Sequence, residues 1–223
     1  MAVLGNRAFK EALDAGRLVI EPRPPDEHIG TSAIDLTLAG EFKRWKQPRA
    51  GMEFTIDPAA DGFSFQAIAS EHHEAFPADE DGSVVLRPGK FLLGRTAERV
   101  HLPLDSGLAA RVEGRSTLAR CGVGIHITAP TIHTGFRGTI TLEITNHETL
   151  PMRLRPGLPI CQLIVETGCR GDRGRTPELI PEPGHRRRAK SPAVADEASA
   201  GRRASLVRVA AATMHSLQHK LTL

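Results

Sequence analysis

Tyrosine is absent from this chain, tryptophan occurs once, and aromatic residues make up only 4% of the sequence. A surface that binds single-stranded nucleic acid by stacking successive bases needs more rings than that, so this class of function is not expected. Cysteine is also scarce. Cys121, Cys161 and Cys169 are the full set, with no CxxC spacing and an odd count. That excludes a disulfide framework and a cysteine-based metal ribbon, and it fits a reduced, cytoplasmic protein. No apolar run approaches the ~20 residues of a membrane span, and MAVLGNRAFKEALDAG carries no apolar signal core.

What is present is ordinary for a globular protein, with 40% hydrophobic and 25% charged residues in 223. The charge is unevenly placed. Residues 1–169 hold 18 Lys+Arg against 21 Asp+Glu, and residues 170–223 hold 11 against 5, so −3 stands beside +6. The division predicts a folded body over 1–169, a basic Gly/Pro/Arg-rich linker over 170–202, and a terminal amphipathic helix over 203–223. The linker reads first as a solvated, disordered extension and second as a contact for nucleic acid or anionic ligands.

Within the body, a short helix capped by Asn6 and stopped at Gly16 is expected first. RLVIEP and SAIDLTLAGEFKRW read as strands, the latter broken at Gly40. Residues 46–82 read as loops, with FTID and FSFQAIA as short strands. From Ser83 the pattern is almost wholly β: SVVLRP, KFLLGRTAERVHLP, GLAARVEG, GVGIHIT, GTITLEITN, MRLRPG and PICQLIVE, with Gly and Pro between them. Such spacing predicts a sandwich, barrel or jelly roll. Leu86-Arg87-Pro88-Gly89 recurs as Leu154-Arg155-Pro156-Gly157. Pro followed by Gly is what a type II turn requires, so the two segments are expected to be similar corners of a folded sheet.

Two stretches carry chemistry. GRSTLAR, residues 114–120, sets two guanidinium groups and two hydroxyls within seven residues. Arginine reads phosphate by charge-assisted bidentate hydrogen bonds, and the glycine lets a ligand approach the backbone. The plain alternative is a polar turn with a surface arginine pair. Thr139 to Thr145 alternates Thr-Ile-Thr-Leu-Glu-Ile-Thr, a strand with one apolar and one polar face and a single acid, Glu143, on the latter. An exposed acid on a solvated strand is its plain alternative.

Together VEGRSTLARCGVGIHITAPTIHTGFRGTITLEITN resembles the deoxycytidine triphosphate (dCTP) deaminases, a branch of the trimeric dUTPase superfamily. The resemblance extends to IGTSAIDLTLAGEF, VVLRPGKFLLGRTAE and LPMRLRPGLPICQLIVE. It implies a mainly β fold, a distorted β-barrel or jelly roll of the dUTPase-like β-clip type. It also implies a homotrimer, or a pair of trimers, with active sites at the subunit interfaces. The implied reaction converts dCTP and water to dUTP and ammonia without zinc, with Mg2+ accompanying the triphosphate. By matching position, Glu143 is the catalytic acid/base, and Ser116 and Arg120 hold the attacking water and tune Glu143. Arg115, Thr117, Leu118 and Ala119 match phosphate and nucleotide contacts, Ala129 a backbone group facing the pyrimidine, Thr141 and Leu142 flanks of the base, and Gln162 a further nucleotide contact. One carboxylate can serve as both base and acid when a shielded pocket tunes it. Zinc deaminases instead need HxE followed by PCxxC; His72-His73-Glu74 contains the first, no PCxxC follows, and the HHE reads as a surface loop.

Two departures stand out. The family generally has an aspartate where this chain has His133, an acid that activates the water for diphosphate release in the dUTPase branch and contacts deoxyribose in deaminases. Imidazole is a weaker acceptor than carboxylate, so dUTP hydrolysis is expected to be weak or absent. His133 as a simple turn cap is the alternative. After Glu166, nothing matches the family's nucleotide-closing tail.

Overall fold

A computed structural model describes residues 2–168. The linker and terminal helix expected over 170–223, and Cys169, lie outside the described residues.

The chain starts with α1 (Asn6–Asp14), which buries Phe9 and Ala12 against the body. Gly16 at φ 67° ends it, as its sequence position predicts. The start differs from expectation: Gly5 is the N-cap, and Asn6 is the first helical residue. The Asn6 amide points away from the helix end and donates to the Ile29 carbonyl at 2.7 Å, tying the helix to the following loop.

Among the described residues twelve strands follow: β1 (Val19–Glu21), β2 (Ile34–Thr37), β3 (Lys43–Trp45), β4 (His73–Ala75), β5 (Val84–Leu86), β6 (Phe91–His101), β7 (Leu108–Gly114), β8 (Val123–Gly124), β9 (Thr131–Ile132), β10 (Arg137–Asn146), β11 (Met152–Leu154) and β12 (Pro159–Thr167). One sheet runs β4-β3-β6-β10-β8 with β1 also on β6, a second runs β2-β12-β7-β9, and β11 pairs with β5. All named pairs are antiparallel. The mainly β expectation holds. The sheets themselves stay open and do not close into a continuous barrel.

Alternation explains the core. On β10 the buried apolar side chains are Ile140, Leu142 and Ile144, and on β7 they are Leu108, Ala110 and Val112. They join Ile34 and Leu36 of β2 and Leu163 and Val165 of β12 in one apolar cluster. The repeated Leu-Arg-Pro-Gly segments are equivalent corners, as expected. Gly89 and Gly157 have φ 67° and 78°, and each turn is closed by an i to i+3 bond of 3.2 Å, Lys90 N to Arg87 O and Leu158 N to Arg155 O. The strands entering them, β5 and β11, pair with each other, Leu86 opposite Met152 and Val84 opposite Leu154.

The segment 46–82 departs from the reading. FTID forms no strand, and FSFQAIA lies mostly in a helix, α2 (Phe65–His72), whose N-cap Ser64 accepts from Ala67 N–H. The HHE is not a loop: His72 ends α2 and stacks on Phe54, His73 packs edge-on against Trp45, and Glu74 pairs with Arg44 at 2.7 Å. Trp45 and His73, both outside the FSFQAIA window, pack on its Phe65, contacts that the window's own alternation does not reveal.

Candidate active site

GRSTLAR leaves the end of β7 and turns into a single helical turn, α3 (Ser116–Arg120), with Arg115 as its N-cap. Ser116, Thr117, Ala119 and Arg120 are exposed, and Leu118 packs against the core and anchors the turn. Arg115 points back over the sheet. One guanidinium nitrogen lies 2.9 Å from Oδ2 of Asp35, which is largely buried. The other oxygen of Asp35 accepts from Nε2 of Gln162 at 3.0 Å.

Strand register explains why these three meet. Gln162 of β12 lies opposite Asp35 of β2 on one side and Glu113 of β7 on the other, so the three form a row on one face of the sheet. Arg115 follows Glu113 by two positions. Asp35 thus fixes two of the expected nucleotide contacts as a fork, one oxygen in an ion pair and the other in a hydrogen bond. A hollow of ≈ 220 Å³ opens beside Asp35 and Gln162, lined also by Thr31, Ser32 and His28.

Asp35 is the residue that sequence reasoning missed. Its signal was available: Ile34-Asp35-Leu36-Thr37 alternates like the Glu143 strand, with one acid on the polar face. Only the neighbouring strand shows that this acid holds Gln162 and Arg115.

Glu143 is half-buried on the polar face of β10, between exposed Thr141 and half-buried Thr145. Its Oε2 accepts from the backbone N–H of Ile127 at 3.1 Å, so the loop after β8 aims the carboxylate. His126, the residue before Ile127, has Nε2 3.5 Å from Glu113. Ala129 in the same loop is exposed. Leu142 is 1% exposed and its side chain belongs to the core, so only its backbone can face a base.

Among the described residues, neither Ser116 nor Arg120 makes a side-chain hydrogen bond or ion pair, and neither joins Glu143 within the chain. Asp35, Arg115 and Gln162 form one cluster, and Glu143 with the Ile127 N–H forms another on the other sheet. His133 stands exposed at the start of a turn in which its own carbonyl accepts from Phe136 N–H at 3.1 Å and Gly135 takes φ 90°. Its ring caps nothing among the described residues, which removes the turn-cap alternative.

Residues 3–168 match the family model described as dCTP deaminase-like. A protein of Methanosphaera stadtmanae named "dCTP deaminase, dUMP-forming" is 39% identical over 75% of this chain and 80% of its own length. One of Dictyoglomus thermophilum with the same name is 41% identical over 72% and 78%. A "dCTP deaminase" of Rhodospirillum rubrum is 36% identical over 73% and 81%. The crystal structure of 2'-deoxycytidine 5'-triphosphate deaminase from Agrobacterium tumefaciens superposes with a TM-score of 0.55 at 19% identity, over 74% of this chain and 46% of that one, which speaks for the fold. With its GRSTLAR turn, its acid-bearing β10 and this match over the whole described body, the chain belongs to the dCTP deaminase-like family.

Proposed function

We propose that the protein is an enzyme that hydrolytically deaminates dCTP. The observation that carries this reading is Glu143: one half-buried carboxylate aimed by a backbone N–H on a strand otherwise lined with threonines. Water attacks C4 of the cytosine ring while Glu143 takes its proton. The same proton passes to N3, and the second water proton passes through Glu143 to the departing amine. The C4–N bond breaks, a C4 carbonyl forms, and ammonia leaves, so one water is consumed per uracil nucleotide made.

Ser116 orients the attacking water, and Arg120 favours the ionised carboxylate between proton transfers. Arg115 and Gln162, preset by Asp35, hold the phosphates, and Thr117 and the α3 turn (Leu118, Ala119) complete the nucleotide contacts. The Ala129 backbone faces the pyrimidine edge, with Thr141 and the Leu142 backbone beside the ring. Mg2+ enters with the substrate, chelated by its phosphates. The free hydroxyl of Ser116 and the free guanidinium of Arg120 support a site completed by the Glu143 strand of a neighbouring subunit, in a homotrimer or a pair of trimers.

The product is dUTP in this reading, because His133 offers no carboxylate to activate a second water. The dUMP-forming names of the Methanosphaera and Dictyoglomus relatives favour a second reading, in which the same protein also releases diphosphate. Incubation with dCTP and with dUTP, each with Mg2+, separates the two. Ammonia without diphosphate supports the first reading, diphosphate the second, and neither product leaves only a nucleotide-binding role. Glu143→Gln can keep its oxygen on the Ile127 N–H, so it removes proton transfer alone. Its ammonia release should fall about 10²- to 10⁴-fold, and release within tenfold of the parent would refute the role of Glu143.

A further inference from the structure

Glu98 is a carboxylate that the reaction does not use, yet it is only 5% exposed. Among the described residues no cation pairs with it. Both of its oxygens are spent on one residue of the other sheet: Oε2 accepts from Thr37 N–H at 2.9 Å and Oε1 from Thr37 Oγ1 at 2.7 Å. Thr37 ends β2, two positions after Asp35 on the same strand face. Glu98 itself sits on β6, in the six-stranded sheet that carries Glu143.

The backbone is deformed to bring it there. β6 and β10 pair in register from Phe91 to Arg95 and again from Arg99, with Thr141 opposite Arg95 and Thr139 opposite Arg99. Between them Thr96, Ala97 and Glu98 stand against the single residue Ile140. This is a bulge, the device that re-aims a side chain beside a functional strand. It is stitched by Thr96, whose hydroxyl donates to the Glu98 carbonyl at 2.8 Å and accepts from Ile140 N–H at 3.0 Å. A backbone link accompanies it, Ala39 N to Arg95 O at 2.9 Å. Burial first, and then the Glu98 and Asp35 carboxylates, push the thiol of Cys161, the residue before Gln162, well above its usual range.

We propose that Glu98 is a positioning residue: a neutral-donor strut from the β6 bulge to Thr37 that fixes the end of β2, and through it the Asp35 fork on Arg115 and Gln162. The reading rests on the proposed nucleotide role of that fork. A buried carboxylate without a counter-ion costs stability unless hydrogen bonds compensate it, and here both oxygens are bound to Thr37, which fits control of geometry.

Substitutions separate geometry from charge. In Glu98→Gln the amide oxygen accepts from Thr37 N–H and the amide nitrogen donates to Thr37 Oγ1, so both links survive without the charge. In Glu98→Leu both are lost. The expected result is a KM for dCTP within about twofold of the parent for Glu98→Gln and raised about tenfold for Glu98→Leu, with kcat changed less than KM in each. A merely structural loss would lower the active fraction, and so the apparent kcat, and leave KM in place. Thr37→Val, which removes one link with little change of shape, should raise KM about threefold, and it serves if Glu98→Leu does not fold. An unchanged KM in folded Glu98→Leu or in Thr37→Val overturns the proposal. So does an equal rise in the Gln and Leu variants, which would make charge the operative property. A parent protein that releases no ammonia refutes the proposed function instead, and the same ordering is then sought in the dCTP dissociation constants measured by calorimetry.

Discussion

Replacing Asp35 by asparagine tests the fork most directly. The carboxylate makes two links at once, 2.9 Å to Arg115 and 3.0 Å to Gln162. A hydrogen bond to a charged group contributes about 1.5–3 kcal/mol. The Arg115 side chain is 33% exposed and that of Asp35 17%, so water screens the pair in part, and the low end of the range applies to it. Asparagine keeps one acceptor oxygen, but its amide then faces a donor, either Arg115 or Gln162. One link is lost and one donor is left without its acceptor, for a total of about 2–3 kcal/mol. In a domain of this size that corresponds to a fall in melting temperature of roughly 5–10 °C. Binding should suffer separately. An unanchored arginine must be ordered again by the ligand, against a rotamer entropy of ~2 kcal/mol, and recovering about two thirds of that means a KM for dCTP raised about tenfold. Steady-state ammonia release over a range of dCTP concentrations gives KM, and thermal melts without nucleotide give the stability. A lowered melting temperature with unchanged KM would refute the reasoning: Asp35 would then be a structural ion pair, and the fork would not meet the nucleotide.

Two other outcomes are expected. His133→Asp puts a carboxylate at the exposed head of the turn and should create or increase diphosphate release from dUTP while leaving ammonia release from dCTP within about threefold, read by phosphate detection after pyrophosphatase; no gain would show that residue 133 does not decide the product. Burial first, and then the nearby Lys43 charge, hold the His73 imidazole below its usual range. The folded state therefore disfavours its protonation, and the stabilisation is complete above the unfolded value of ~6.5 and declines as pH falls below it. Because Trp45, the single tryptophan, lies 4.2 Å from His73, its emission should change with that titration at a midpoint below 6.5; a midpoint above it would contradict the burial.

Much of the candidate site's framework was legible along the chain because it lies on regular elements. Alternation placed Glu143 on the polar face of its strand and Ile140, Leu142 and Ile144 in the core. The Pro-Gly pairs at 88–89 and 156–157 fixed two corners, since their backbone angles are local properties. Reading failed where partners were distant in sequence. Asn6 looks like a cap but bonds a carbonyl 23 residues away, and FSFQAIA looks like a strand but is mostly helical, packed beside Trp45 and His73. Asp35 and Gln162 are 127 residues apart, and no local pattern joins them.

The sequence by itself determined the β-rich body and the place of Glu143 on the polar face of its strand, because each depends on side-chain type and period. Only the tertiary structure decided that Asp35 bonds both Arg115 and Gln162, that Glu98 reaches across the sheets to Thr37, and that Ser116 and Arg120 form no hydrogen bond or ion pair with Glu143 within the chain. Those relations depend on strand register and on a bulge, and both are set by pairing between strands far apart along the chain.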